Sequence, residues 1–214
     1  PPPITTEPSP PTLTPVQATV TSAPTPSPTP YQPFEAMILV DSLNLRVGPG
    51  FLLDSLGMYG EKEKVSVLGR APGASWLYVQ TSDGKHGYMK LELLDLQGQN
   101  MYDAPEVEPD GYVIIRGHVN TPNGNPASHI TLSLLPDGEV VPGGTDAATT
   151  DILGRFYFFL PANAKGIWTL QAQAYGCESN AVNSTCSLIG SFPPPIEISV
   201  TDSFDIWYNI QLLP

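Results

Sequence analysis

The sequence predicts an all-β protein that follows an extended, proline-rich arm. From Phe34 onward, short apolar runs recur at close intervals, and Gly, Pro and Asp separate them. Several of these runs alternate apolar and polar residues, and no long amphipathic helix pattern is found. Such spacing is typical of small antiparallel barrels and sandwiches. Hydrophobic residues make up 41% of the 214 residues, which is enough to bury a core.

The arm comprises residues 1–33, which contain 12 of the 25 prolines, interleaved with Thr and Ser. No Lys or Arg precedes Arg46. Because such a segment cannot bury enough apolar area to offset its ordering entropy, we expect a disordered, polyproline-like spacer. At about 3.1 Å per residue, it would reach up to about 100 Å. A docking site for a proline-binding partner is the alternative.

The first β region is predicted at residues 34–98. The Asp83-Gly84 pair suits a two-residue hairpin turn, since Gly accepts a positive φ. The following LELLDL is expected to make one short helical turn. The predicted strands are Ala36–Val40, Leu43–Arg46, Asp54–Tyr59, Lys64–Arg70, Trp76–Thr81 and Gly87–Lys90.

A polar, acidic linker is predicted at residues 99–109, and a second β region at residues 110–214. About seven short strands over some 100 residues fit an immunoglobulin-like sandwich. Two of these strands alternate clearly, which predicts that one face of each is buried. The predicted inward residues are Ile130, Leu132 and Leu134 in one strand and Phe156, Phe158 and Leu160 in the other.

Residues 37–96 closely resemble the bacterial SH3-like (SH3b) domain family. The resemblance rests on LNLRVGPG, a G-x-x-x-G stretch, a valine-rich strand, a W-x-x-V strand and a D-G-K-x-G-[WY] hairpin. It implies a small SH3-like barrel in which GPG is the tight loop after a strand. Tyr88 stands where the family more often has Trp. The matching segments are Leu43–Gly50, Gly57–Gly60, Val65–Leu68, Trp76–Val79 and Asp83–Tyr88.

Domains of this family usually act as targeting modules, and several bind peptidoglycan or its peptide stems. The resemblance therefore implies a set of ligand-binding candidates. Trp76 could either pack in the core or stack against a ligand. Arg46 could be a ligand contact, but an ion pair or a carbonyl contact within the fold is the alternative. The candidates are Arg46, Tyr59, Trp76, Tyr78 and Tyr88.

Residues 109–175 resemble the carboxypeptidase regulatory-like and prealbumin-like sandwiches. The matching features are G-x-V, N-G-x-P, an alternating strand and T-D-x-x-G-x-F-x-F. Domains of this kind stabilise, space or bind, and rarely carry catalysis. We interpret Asp151 and Gly154 as the turn before the inward Phe156 and Phe158.

Two cysteines, Cys177 and Cys186, flank the polar segment between them. In an exported protein such a pair suits a disulfide that ties a hairpin loop. Free thiols are one alternative. A metal site is another, but four ligands are needed and no His lies nearby.

Charge and motif content exclude several functions. Acidic residues outnumber basic ones 21 to 9, and the net charge is −12, which disfavours nucleic acid and anionic membrane partners. No catalytic, phosphate-binding or metal-binding motif appears, so we predict a non-enzyme without cofactor or metal. Four loop acids could bind Ca²⁺, but without a D-x-D-x-D pattern we interpret them as solvated. These acids are Asp137, Glu139, Asp146 and Asp151.

The leading hypothesis is an exported, non-catalytic binding module of a bacterial cell envelope. The arm would give reach, the SH3-like domain would bind a cell-wall glycan or peptide, and the sandwich would act as a spacer. We expect a membrane anchor, as in a lipoprotein, only upstream of this chain. One alternative is a structural or assembly protein that binds a surface protein. Another is an accessory part of a larger envelope enzyme.

Overall fold

The computed structural model is all-β, as the sequence predicts. It describes residues 30–73, 75–136, 146–173, 175–178, 187–188, 190–201 and 205–214, and only the backbone of 173, 175–178, 187 and 188. Within these ranges there is no α-helix; the helical elements are the 3-10 turns Leu91–Leu93 and Met101–Asp103. Residues 31–214 form one compact unit. The predicted arm lies almost entirely outside the described residues.

The first seven strands form one sheet, which we call the first module. Its strand order is β3-β2-β6-β5-β4-β1-β7, with antiparallel neighbours throughout. No pairing among the described strands joins β3 to β7, which has only two residues, so the expected barrel is not closed. The strands are β1 (Phe34–Ile38), β2 (Leu43–Arg46), β3 (Ser55–Tyr59), β4 (Lys64–Arg70), β5 (Trp76–Thr81), β6 (His86–Lys90) and β7 (Leu94–Asp95).

Most predicted strands of this module agree with the structure to within one residue. The exception is β1, which lies two residues earlier than predicted because the chain leaves the strand at Leu39 and bends at Val40. The chain reverses at Asp83-Gly84 as predicted, and Gly84 has φ +83°, but the predicted two-residue loop is wrong. Gly84 donates its N–H to the Thr81 carbonyl and Thr81 donates to the Lys85 carbonyl, so the loop is longer than two residues. The predicted helical turn is the 3-10 turn Leu91–Leu93.

The remaining strands form a second module built as a β-sandwich. Its two larger sheets have the orders β11-β10-β13-β16 and β12-β8-β17, and the smaller one has the order β15-β14-β9. The pair β17–β8 is parallel. The strands are β8 (Val113–Asn120), β9 (Ala127–Ser128), β10 (Thr131–Pro136), β11 (Asp146–Thr149), β12 (Arg155–Leu160), β13 (Gly166–Gln173), β14 (Tyr175–Glu178), β15 (Ser187–Leu188), β16 (Ile196–Val200) and β17 (Asp205–Gln211).

One hydrophobic core lies between the two larger sheets of the sandwich. Residues of β8, β12 and β17 pack there against residues of β10, β13 and β16. The alternation predicted for two strands is confirmed, because every predicted inward side chain is at most 1% exposed. These side chains are Ile130, Leu132, Leu134, Phe156, Phe158 and Leu160.

The predicted turn before β12 is also confirmed, and Asp151 organises it. Its buried carboxylate accepts the backbone N–H groups of Leu153 and Arg155, both at 2.9 Å, and the Arg155 Nε–H at 2.7 Å. Gly154 adopts φ +72°. The interpretation of Asp151 as a solvated loop acid is therefore wrong, because the carboxylate replaces water with main-chain and guanidinium donors.

Three further predictions have different outcomes. The proposed Cys177–Cys186 disulfide lies outside the described residues, because only the backbone of Cys177 is described. Asp137 and Glu139 also lie outside them. In the described part of the chain, no helix has the length and apolar character needed to span a membrane.

Candidate functional site at the junction of the two modules

An aromatic stripe lies on the outward face of β5 and β6. Trp76 and Tyr78 alternate along β5 with the buried Leu77 and Val79, so they project from the opposite face of the sheet. On β6, Tyr88 lies opposite Tyr78, and their ring centroids are 5.1 Å apart. Trp76 and Tyr88 are each only 5% exposed. Something other than the core of the first module must therefore cover this stripe.

Phe51, which follows the Gly48-Pro49-Gly50 loop, covers part of the stripe. Its ring packs edge-on against Trp76, with 5.1 Å between centroids. Two cations lie near the Phe51 ring: Lys90 Nζ is 5.3 Å and Arg46 Cζ is 5.9 Å from its centroid. Lys90 Nζ is also 5.5 Å from the Trp76 ring. Cation–π attraction strengthens when the cation is desolvated, as the buried Lys90 is here.

The second module holds this loop through Asp146. The Asp146 carboxylate accepts the backbone N–H of Phe51 at 3.1 Å and that of Ala147 at 3.0 Å. At Gly50, an added Cβ would lie 2.7 Å from the main-chain oxygen of Phe159. Only glycine permits that approach, which explains why the loop requires it. The GPG sequence thus does more than turn the chain: it lets the loop contact the second module.

Further hydrogen bonds and ion pairs connect the two modules. Ser75 Oγ accepts the backbone N–H of Thr149 at 3.0 Å, and Lys90 Nζ donates to the Ala147 carbonyl at 3.4 Å. The Tyr112 hydroxyl donates to the Val47 carbonyl at 3.0 Å. Arg70 pairs at 2.6 Å with Glu106, which also lies 3.8 Å from Arg155. The junction is therefore polar as well as aromatic, and it involves β4, β5, β6, β11 and β12.

Burial dominates the electrostatics of this junction. Burial raises the pKa of Asp146 to about 6, although two backbone N–H groups, Lys90 and Arg46 act in the opposite direction. Burial lowers the pKa of Lys90 and that of Arg46. Burial also raises the pKa of Tyr88 to about 12, with smaller contributions from Tyr78, Tyr112 and Asp110.

The structure brings four of the five ligand-binding candidates together. The burial of Trp76 favours its core-packing alternative, and Tyr88 is buried to the same extent. Arg46 Nη1 donates to the Leu53 carbonyl at 2.6 Å, which is the carbonyl contact that was left open. Tyr78 is half-buried and stacks at 6.2 Å on the exposed His86. Ligand contact stays a prediction for all of them, with Tyr78 the most accessible aromatic.

The fifth candidate, Tyr59, lies apart from the stripe. It is 9% exposed, belongs to the core of the first module, and donates its hydroxyl to Asp83 at 2.9 Å. Asp83 also accepts from Thr81 at 2.5 Å and pairs with Lys85, and these hydrogen bonds hold its pKa well below its usual range. Tyr59 thus serves the Asp83-Gly84 hairpin.

Sequence reasoning missed Phe51, Lys90 and Asp146. The interpretation of Asp146 as a solvated loop acid is wrong, because the residue is 2% exposed and bonded to main-chain N–H groups. Of the three, only Lys90 has a local sequence signal for its place in the junction. It lies on the same face of the sheet as Trp76, Tyr78 and Tyr88. Phe51 and Lys90 contact a surface that lies more than 50 positions further along the chain, and Asp146 belongs to that surface.

The described residues contain no group of three His, Cys, Asp or Glu side chains placed to hold a metal ion. The buried Asp146 and Lys90 contact main-chain groups and aromatic rings, which is an arrangement that joins two surfaces. These hydrogen bonds and ring contacts make the junction a packed interface between two β modules.

No protein-family model matches the sequence, and no curated protein matches it. Among solved structures, the chain is similar to BcpA, the major pilin subunit of Bacillus cereus, at 10% identity, with a TM-score of 0.36 over 86% of this chain. A variant of that subunit gives 11% identity and a TM-score of 0.39. The chain spans about 60% of the length of both pilin chains. The SH3-like assignment of residues 37–96 stays a prediction.

Proposed function

We propose that this chain is a non-catalytic structural protein of a bacterial cell surface, in which the two modules act as one rigid piece. The buried junction carries this proposal. Trp76, Tyr88, Lys90 and Asp146 are each at most 5% exposed, and hydrogen bonds cross between the modules at their edges. Buried polar contacts fix one orientation, because any other orientation would leave charged groups unsatisfied.

The location at the surface is supported by the sequence. The proline-rich arm and the two cysteines favour an exported, tethered protein. A rigid pair of modules on a long arm would present surfaces to partner proteins at a fixed distance and angle. Assembly with a surface protein therefore fits the junction better than a ligand groove built around Trp76, since the junction covers that side chain.

The test is ¹⁵N relaxation of the full chain, compared with its Phe51→Ala variant. In the wild type, amides of both modules should report one common rotational correlation time. Removing the half-buried Phe51 ring should cost about 2 kcal/mol of docking free energy and allow the modules to reorient separately. Leu39→Ala, at a side chain 50% exposed, is the control and should leave the common value unchanged. Independent tumbling of the wild-type modules would rule out a rigid piece.

A second candidate function is binding of a cell-wall glycan or peptide by the first module. The observation that favours it is the uncovered end of the stripe, where Tyr78 stacks on the exposed His86. Aromatic faces of this kind stack on sugar rings and on peptide groups.

Co-sedimentation of the full chain with peptidoglycan sacculi tests this second function. Tyr78→Ala should weaken the affinity for sacculi by about two- to tenfold if the ring contributes about 0.5–1.5 kcal/mol. Tyr78 is a better choice than Trp76, whose removal would disturb the junction itself. Met58→Ala, at an exposed side chain, is the control. If the wild type stays in the supernatant, the assembly function is favoured instead.

A further inference from the structure

Two described cations of the first module, Arg46 and Lys90, form no ion pair within 4.0 Å, and both lie at the junction near the buried Asp146. Ion pairs within 4.0 Å engage six of the described cations: Lys62, Lys64, Arg70, Lys85, Arg116 and Arg155. Arg46 and Lys90 are absent from these pairs. In a chain with a net charge of −12, carboxylates are plentiful, yet the partly buried guanidinium of Arg46 interacts with Asp146 only from beyond direct contact.

Arg46 lies at a cleft of about 720 Å³ between the two modules. This volume lies within the range of about 300–1,000 Å³ that is typical of small-molecule sites, which often occur between domains. The first module contributes Arg46, Phe51, Leu52 and Ser55 to the walls, and the second contributes Pro161, Asn163 and Trp168.

The guanidinium of Arg46 has donors to spare. It carries five N–H groups, and the one described bond, from Nη1 to the Leu53 carbonyl at 2.6 Å, uses one of them. This bond and the Phe51 ring, whose centroid is 5.9 Å from Cζ, position the guanidinium at the cleft. A planar fork held in this way matches a carboxylate, which can accept two parallel hydrogen bonds.

The other residues that line the cleft indicate the chemical character of a ligand whose carboxylate would bind Arg46. Phe51, Leu52, Pro161 and Trp168 offer an apolar surface, and the exposed Asn163 adds an amide. Asp54, which is exposed, also lines the cleft, and its charge disfavours a dianion such as phosphate. A ligand with a single carboxylate and an apolar flank fits this combination best.

We propose that the junction cleft binds a carboxylate-bearing ligand with an apolar flank, and that Arg46 anchors its carboxylate. The carboxylate could belong to a free peptide chain end or to a sugar acid. Because both modules line the cleft, a bound ligand stabilises their docked arrangement. The proposal goes beyond the structural role above and does not depend on it.

The test is NMR titration of the full chain with four probes. The first pair of probes is acetyl-phenylalanine, which carries a peptide-type carboxylate, and its neutral amide. The second pair is glucuronate, which carries a sugar carboxylate, and neutral glucose. At least one acid should shift the amides of residues 51–55 and 163–168 at about 1 mM, while its neutral match shifts them at least tenfold less. A hydrogen-bonded charge is worth that factor or more. The acid that binds identifies the source of the carboxylate.

Variants separate recognition from folding. Arg46→Gln should weaken binding of the acidic probe at least tenfold. Lys62→Gln, which removes an exposed cation, should leave the affinity for that probe unchanged. Because Arg46→Gln also removes the bond to Leu53, Asn163→Asp serves as a second variant: it leaves Arg46 intact and adds a repelling charge to the other wall. The proposal is overturned if no acid shifts these amides in the wild type. It is also overturned if both variants bind the acid as the wild type does.

Discussion

Replacing Gly117 by alanine is expected to destabilise the protein by more than about 4 kcal/mol, or to prevent it from folding. Gly117 lies in the middle of β8, between β12 and β17. An added Cβ would lie 1.7 Å from the main-chain oxygen of Tyr208 and 2.7 Å from its carbonyl carbon. These are backbone atoms, which cannot rotate away as a side chain can, so β17 would have to separate from β8.

That separation would be costly because β17 is an integral part of the sandwich. Its seven residues pair with β8 over their whole length, and Ile206, Tyr208 and Ile210 pack against the core between the sheets. Close-packed interiors cannot take up a displacement of this size without losing contacts. The loss of β17 would therefore expose one side of the core.

Urea denaturation followed by circular dichroism measures this effect, and Gly57→Ala provides the matched control. Gly57 also lies in a strand, β3, but an added Cβ there meets no atom closer than 3.5 Å. Its free energy of unfolding should change by no more than about 0.5 kcal/mol. Equal stability of the two variants would mean that the close approach of β17 at Gly117 is not needed by the fold.

The interior of each module could be predicted from the sequence because its signal is local. Alternation places Ile130, Leu132 and Leu134 on one face without any knowledge of what covers them. Turn chemistry likewise predicted that the chain reverses at Asp83-Gly84 and near Asp151, because a short polar side chain or a glycine suffices to reverse the chain. Local signals set strand ends less accurately, as the two-residue displacement of β1 shows.

The junction could not be predicted, since it depends on residues far apart in the sequence. Phe159 follows the buried Phe158 and breaks the alternation of β12, yet it too is only 1% exposed. An edge strand that is buried on both faces must be covered by another part of the protein, but the pattern does not identify that part. Similarly, the pattern around Trp76 is compatible with a side chain packed in a core and with a ligand-stacking platform. Only the position of the loop at Gly50 distinguishes the two.

The stability of the junction is expected to depend on pH through Asp146, with an unusual sign. Burial raises the pKa of this carboxyl from its ordinary 3.8 to about 6. The folded state therefore binds more protons than the unfolded state between these values. It follows that the free energy of unfolding contributed by Asp146 is greatest below about pH 4 and declines as the pH rises to about 6. The decline amounts to roughly 3 kcal/mol.

Asp146→Asn isolates this contribution. The amide is neutral at every pH and can still accept the Phe51 N–H through its oxygen. The variant should match the wild type near pH 4 and exceed its stability by up to roughly 3 kcal/mol at pH 7. Urea denaturation at a series of pH values measures the difference between the two proteins. Contributions common to both, including that of Asp83, cancel in the difference.

A lower stability of Asp146→Asn at pH 7 would mean that charge attraction outweighs the cost of burying the Asp146 carboxylate. Lys90 and Arg46 both lie close enough to favour the ionised carboxylate. If their attraction outweighed the cost of burial, Asp146→Asn would be less stable than the wild type at pH 7, and the difference would grow as the pH rises. Asp41→Asn, at an exposed side chain, should leave the pH profile nearly unchanged and serves as the control. The sign of the difference at pH 7 therefore decides whether burial or charge attraction dominates where the two modules meet.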